Sequence, residues 1–140
     1  MPSVWLTFHA TQASFACDAT TAHTGTSSVR ISRSTGDSTG VPSFYTSPTA
    51  AHIVAGQTYT ASVWAKGQAS TGTNQIALAF FSVTGAYLGT TVSSAMASGT
   101  TTWTQLTVSA VAPAGATTVQ IHCKSAHNSG TVWFDDVTYA

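Results

Sequence analysis

The sequence predicts an all-β protein, an antiparallel β-sandwich with jelly-roll topology. Three observations carry that expectation. No window sustains a 3.6-residue apolar period, and helix-favouring Glu is absent altogether. Short stretches of Val, Ile, Thr and aromatics alternate with polar residues instead. Gly, Pro, Asn and Ser cut these stretches at short intervals, the turn spacing of a two-sheet sandwich. At 140 residues the chain fits one domain, residues 1–140, with no internal repeat or linker.

Taken in order, Ser3–Phe8 and Ser14–Cys17 alternate as first strands. Ala22–Ser28 is a polar turn, and Ser28–Ser32 follows with Val29 and Ile31 inward. Ser34–Pro42 is a glycine-containing loop leading to Ser43–Thr46. After Pro48 a short strand is expected over His52–Val54, ending at Gly56. Thr58–Lys66, Gln75–Val83, Tyr87–Ser93, Thr101–Val111, Thr118–Lys124 and Gly130–Tyr139 complete the set.

The last of these contains an irregularity. Val132 and Phe134 fall on one parity, Val137 and Tyr139 on the other. All four face one core only if the strand slips a residue between them. The slip falls at Asp135-Asp136, half of the four carboxylates in the chain. Acids embedded in an apolar strand are costly unless a positive or hydrogen-bonding group meets them. Either they hold a cation, for which hard oxygen ligands favour calcium, or both face water beside a turn.

Charged residues are only 6% and the formal net charge is zero. Hydroxyls and amides must supply solubility. Arg30, Arg33, Lys66 and Lys124 are the only fixed cations, too few for a phosphate-tracking groove or an anionic surface. Nucleic acid and membrane are therefore not expected partners, and no apolar run reaches the roughly 20 residues of a membrane helix. No signal peptide precedes Val4-Trp5-Leu6, which suits either a domain excised from a secreted chain or a small protein made without export. Cys17 and Cys123 either pair or remain two thiols.

Five segments resemble, in order, carbohydrate-binding modules of families 4, 9 and 22. Ala22-His-Thr-Gly-Thr-Ser-Ser-Val29 is similar to their early turn. Gly56-Gln-Thr-Tyr-Thr-Ala-Ser-Val-Trp-Ala-Lys66 resembles a G-x-x-Y-x-x-S-x-W-x-K strand, and Phe80–Gly89 their hairpin. Thr102-Trp-Thr-Gln-Leu106 with Ala112-Pro113, then Phe134-Asp-Asp-Val137, follow. The resemblance implies a galactose-binding-like jelly roll that binds a polysaccharide or cell-surface glycan without cleaving it. It implies a structural calcium held by Asp135 (Asp136 is the less favoured choice) with oxygens of Gly25 and Ser27. Residues 1–17 hold no acid, whereas such modules often supply one there, so backbone oxygens would have to stand in. Extracellular settings follow: a module beside an appended catalytic domain, or a virion surface among virion proteins. On the second setting the chain is a decoration or tail protein of this fold with little sugar affinity.

Sugar rings are held by aromatic faces, with amides fixing the hydroxyls. On the strand parity opposite the core lie Trp64, then Gln75, Ala77, Ala79 and Phe81, then Gln120 and His122, and Trp133. The expected ligand platform is Trp64, Gln75, Phe81, Gln120, His122 and Trp133, with Tyr87 as a rim and the two alanines leaving room. Trp64 has the alternative of covering a loop, and Trp103 is expected under a sheet edge. Catalysis is not expected. The acids are Asp18, Asp37, Asp135 and Asp136, and sequence neighbours are poorly placed to flank a glycosidic bond. Gly36-Asp-Ser-Thr-Gly40 matches a nucleophile pattern, but Val41-Pro42 continues it extended where that chemistry requires a helix.

Overall fold

The computed structural model describes residues 5–8, 13–33, 41–46 and 53–140. Ten strands form there: β1 (Trp5–Phe8), β2 (Ser14–Asp18), β3 (Ser28–Ser32), β4 (Ser43–Thr46), β5 (Thr58–Gln68), β6 (Thr73–Ser82), β7 (Tyr87–Val92), β8 (Thr104–Val111), β9 (Ala116–Ala126) and β10 (Thr131–Tyr139). They make two five-stranded antiparallel sheets. One has the order β1-β4-β9-β6-β7, the other β2-β3-β10-β5-β8. The jelly-roll sandwich read from the sequence is the fold observed.

Alternation sets the faces. Phe44, Ile76, Leu78, Phe80, Val119, Ile121 and Cys123 point inward from the first sheet. Ile31, Ala61, Val63, Leu106, Val108, Val132 and Phe134 meet them from the second, and all are buried. Burying a Val, Leu, Ile or Phe side chain contributes about 1.5–3 kcal/mol, so this shared layer holds the sheets together. Cys123 lies within it on β9, while Cys17 is exposed on β2, and both are free thiols. Burial pushes the Cys123 thiol well above its ordinary range.

The slip in β10 is present. Asp135 pairs with Trp64 and Thr138 with Ser62, so three residue steps on β10 oppose two on β5. Asp136 takes the left-handed conformation at φ +50, which Asp tolerates better than most residues. Beyond this bulge Val137 and Tyr139 pack against the core, as Val132 and Phe134 do before it.

The short strand expected at His52–Val54 is not formed by its described part. Ile53 is buried and Val54 exposed, but neither joins a ladder. The Val54 N–H donates to Tyr59 Oη at 2.8 Å, and its carbonyl accepts from Gln57 N at 3.2 Å. A turn through Gly56 (φ +88) uses the backbone groups that pairing would need. His52 and Gly36–Gly40 lie outside the described residues.

Candidate functional site

The outward face of the β1-β4-β9-β6-β7 sheet carries a groove of about 350 Å³. Register builds it row by row. Tyr45 lies opposite His122, and His122 opposite Ala77. Gln120 lies opposite Ala79, and Ala79 opposite Thr90. Phe81 pairs with Tyr87 across a register shift that opens beside Gly89. Phe8, on edge strand β1, closes one end and Lys124 lines the groove one row beyond His122.

Two ring walls stand over a small-residue floor. On one side the Tyr45 and His122 rings stack at 5.1 Å and 12°, with Phe8 edge-on to Tyr45 at 6.3 Å. On the other, Phe81 and Tyr87 meet at 5.9 Å and 61°. Tyr87 is 63% exposed, whereas Ala79 beneath is 5% exposed. A methyl side chain there keeps the floor low between tall neighbours, so the groove has depth. Tyr87 is held by a 2.7 Å hydrogen bond between its hydroxyl and Thr90 Oγ1.

His122 is pinned on both ring nitrogens. Burial, followed by the positive charge of Lys124, pushes its pKa down to about 4. The neutral ring donates from Nε2 to Gln120 Oε1 at 2.9 Å, and Ser43 Oγ–H faces Nδ1 at 3.4 Å. The imidazole therefore orients the carboxamide, leaving the Gln120 NH₂ for a ligand.

Of the residues read from the sequence as a platform, Phe81, Tyr87, Gln120 and His122 line this groove. Gln75 shares their face, opposite Lys124, but does not line it. Trp64 and Trp133 belong to the other sheet, on β5 and β10. The expected single platform is thus divided: alternation tells outward from inward, but each sheet of a sandwich has its own outward face. Tyr45 and Phe8 were missed, and Lys124, on the outward parity of its strand with Gln120 and His122, was not counted in the platform. The signal for Tyr45 was available, because two adjacent aromatics in Ser43–Thr46 cannot both point inward.

Trp133 is an anchor. It is 7% exposed, and its Nε1–H donates to Asp18 Oδ2 at 2.9 Å. Asp18 also accepts from Thr20 Oγ1 at 2.6 Å, Thr20 N at 2.8 Å and Arg30 Nη1 at 3.3 Å. The Thr20 hydroxyl and then the Trp133 indole hold this carboxyl far below the ordinary carboxylate range. Trp64 is half-buried under His23, with rings 4.2 Å apart at 12°, and Trp103 meets the same imidazole edge-on at 5.5 Å. It covers a turn, the alternative read for it.

The expected calcium ligands do come together with that turn, but as acceptors for N–H groups. Asp135 Oδ2 accepts from His23 N at 2.7 Å and Thr24 N at 3.2 Å, and Oδ1 accepts from Asp136 N at 2.8 Å. Asp136 accepts from the Thr24 hydroxyl and His23 Nδ1, both at 2.6 Å, and these bonds lower its pKa. Gly25 forms the turn tip at φ +66 and Ser27 follows it. Calcium takes six to eight oxygens, while here donors converge on the carboxylates. Among the described residues no group of three or more His, Cys, Asp or Glu converges either. An ion held there would have to displace these donors from the carboxylates.

Two packed antiparallel sheets with a groove across one outward face make a jelly-roll sandwich. Solved structures share that fold. The module pair of Clostridium thermocellum endo-1,4-β-D-xylanase 10B, a family 22 carbohydrate-binding module with its glycoside hydrolase, complexed with xylohexaose, matches with TM-score 0.70 and 18% identity. That match covers 96% of this chain and 25% of that one. The C-terminal family 22 module of the same enzyme matches with TM-score 0.67 and 19% identity, over 100% and 86%. The enzymatically active domain of tailspike protein 4 from bacteriophage CBA120 matches with TM-score 0.72 and 17% identity, over 99% and 19%. The chain thus spans a quarter of the xylanase chain and a fifth of the tailspike chain. At these identities the likeness is one of fold. No protein-family model matches the chain, and no curated protein matches its sequence.

Proposed function

We propose that this chain is a non-catalytic glycan-binding module whose ligand lies in the groove between the Tyr45–His122 and Phe81–Tyr87 walls. The observation that carries the reading is two pairs of rings lining one groove whose floor is kept low by Ala79. Ring faces pack on sugar C–H surfaces at small entropic cost, and a fixed carboxamide between them selects orientation. Xylan-binding modules of the same fold support it. Among the described residues no carboxylate lines the groove, and the acids among them are engaged elsewhere, which favours binding over hydrolysis. The setting this suits is extracellular, the module tethering a neighbouring catalytic domain or a virion to a polysaccharide. Affinity electrophoresis in gels containing a panel of soluble polysaccharides tests it. Retardation by at least one polymer is expected, and free migration in all of them overturns the proposal.

A second reading has its own observation. Leu6, Phe8, Tyr87 and Val92 are exposed apolar residues on strands of this one sheet, and a tailspike domain shares the fold. On that reading the face is a protein interface of a virion component. Concentration-dependent self-association by light scattering, with no polysaccharide binding, would select it.

A further inference from the structure

We infer that the groove takes an acidic glycan, a polymer carrying uronic-acid carboxylates, with a carboxylate held by Lys124 and the Gln120 NH₂ donating to an oxygen farther along the polymer. This inference rests on the glycan-binding reading above and names its substrate class. It follows from which polar groups in the groove are already engaged. The Gln120 oxygen accepts from His122. Thr90 Oγ1 and the Tyr87 hydroxyl are bonded to each other. The hydroxyls and the Gln120 oxygen keep lone pairs for sugar hydroxyls, so the bias toward an anion comes from the groups that only donate, the ammonium of Lys124 and the amide hydrogens of Gln120.

Neutral sugars present hydroxyls that must donate as well as accept, and an Asp or Glu in the groove would receive those protons. Among the described residues none lines it. A carboxylate only accepts, so it complements this donor set, and charge-assisted hydrogen bonds are about twice as strong as neutral ones.

Among the described residues Lys124 is also without a counter-ion. Of the four carboxylates in the chain, Asp18 is bound to Arg30 and Trp133, and Asp135 and Asp136 to the His23–Thr24 turn. All three serve the opposite sheet, and Asp37 lies outside the described residues. Among the described residues no acid pairs with Lys124. Its half-buried position in an apolar groove raises what a ligand anion gains there, because low local polarity strengthens the pairing. Lys124 and Gln120 lie four residues apart on one face of β9, about 13 Å along the strand. They flank His122, which burial keeps uncharged.

The test compares polygalacturonate, its methyl ester and unsubstituted xylan in affinity gels. Esterification removes the charge and leaves the ring. The expected result is tightest binding to polygalacturonate, weakened by salt and by esterification, each about tenfold. Lys124→Gln should lose about tenfold on polygalacturonate alone and Lys124→Arg should restore it. Lys66→Gln, on the opposite sheet above Trp133, should change nothing. Equal binding of acid and ester, with Lys124→Gln silent, overturns this inference but leaves glycan binding standing. Free migration in these three and in the whole polysaccharide panel overturns both.

Discussion

Tyr87 offers the sharpest perturbation of the groove. It is 63% exposed and touches Phe81 edge-on and Thr90 through its hydroxyl. Truncation to Ala therefore removes little from the folded core, and a stability loss under about 1 kcal/mol is expected. A ligand on the free ring face would cover much of what is now open. If roughly 80 Å² of apolar surface goes under the sugar at about 25 cal/mol per Å², stacking contributes ~2 kcal/mol. Tyr87→Ala should then weaken polysaccharide binding about thirtyfold, read by isothermal titration calorimetry. The thermal midpoint should move by only a few degrees. Unchanged affinity would refute the assignment of this wall. So would an affinity loss that tracks a large fall in stability, because the ring would then be supporting the fold instead of the ligand.

Three further outcomes follow from the same geometry. His122, with its pKa lowered to about 4, takes up protons less readily folded than unfolded. Its contribution to stability is complete above pH ~6.5 and is lost as pH falls toward 4, on the order of 2 kcal/mol after allowance for its partial exposure. NMR titration of its ring checks this, and a midpoint near 6.5 contradicts it. Trp133→Phe leaves the buried Asp18 carboxylate short of a donor and should cost about 1–3 kcal/mol in urea denaturation with no change in glycan affinity; altered affinity would tie that sheet to the ligand. Because N–H groups and His23 satisfy Asp135 and Asp136, a chelator should leave the melting temperature unchanged. A drop of several degrees would show that a metal holds the turn after all.

What the sequence could reveal depended on the range of the signal. Strand faces are a matter of neighbouring residues, so Phe81, Gln120 and His122 were legible as outward, and Ala77 and Ala79 as room between walls. The slip at Asp135-Asp136 was legible for the same reason: Val137 and Tyr139 could reach the core no other way. Sheet membership is non-local. Trp64 and Phe81 are both outward, but β5 pairs with β10 and β8 whereas β6 pairs with β9 and β7, and no local pattern encodes that. The partner of the paired acids escaped for a related reason. The early turn was expected to bring oxygens to Asp135, but it brings the N–H groups of His23 and Thr24 and the His23 ring. Which way a turn's peptide planes face depends on conformation that composition does not specify.

The central claim is that one face of one sheet holds the ligand. Amide and side-chain NMR of the labelled chain, titrated with a polysaccharide it binds, reads that face directly. The account predicts shifts at Tyr45, Ala79, Phe81, Tyr87, Gln120 and His122, with the indole signals of Trp64 and Trp133 unmoved. Shifts centred on Trp64, Trp103 and His23 would contradict it, and would put the binding surface on the opposite sheet.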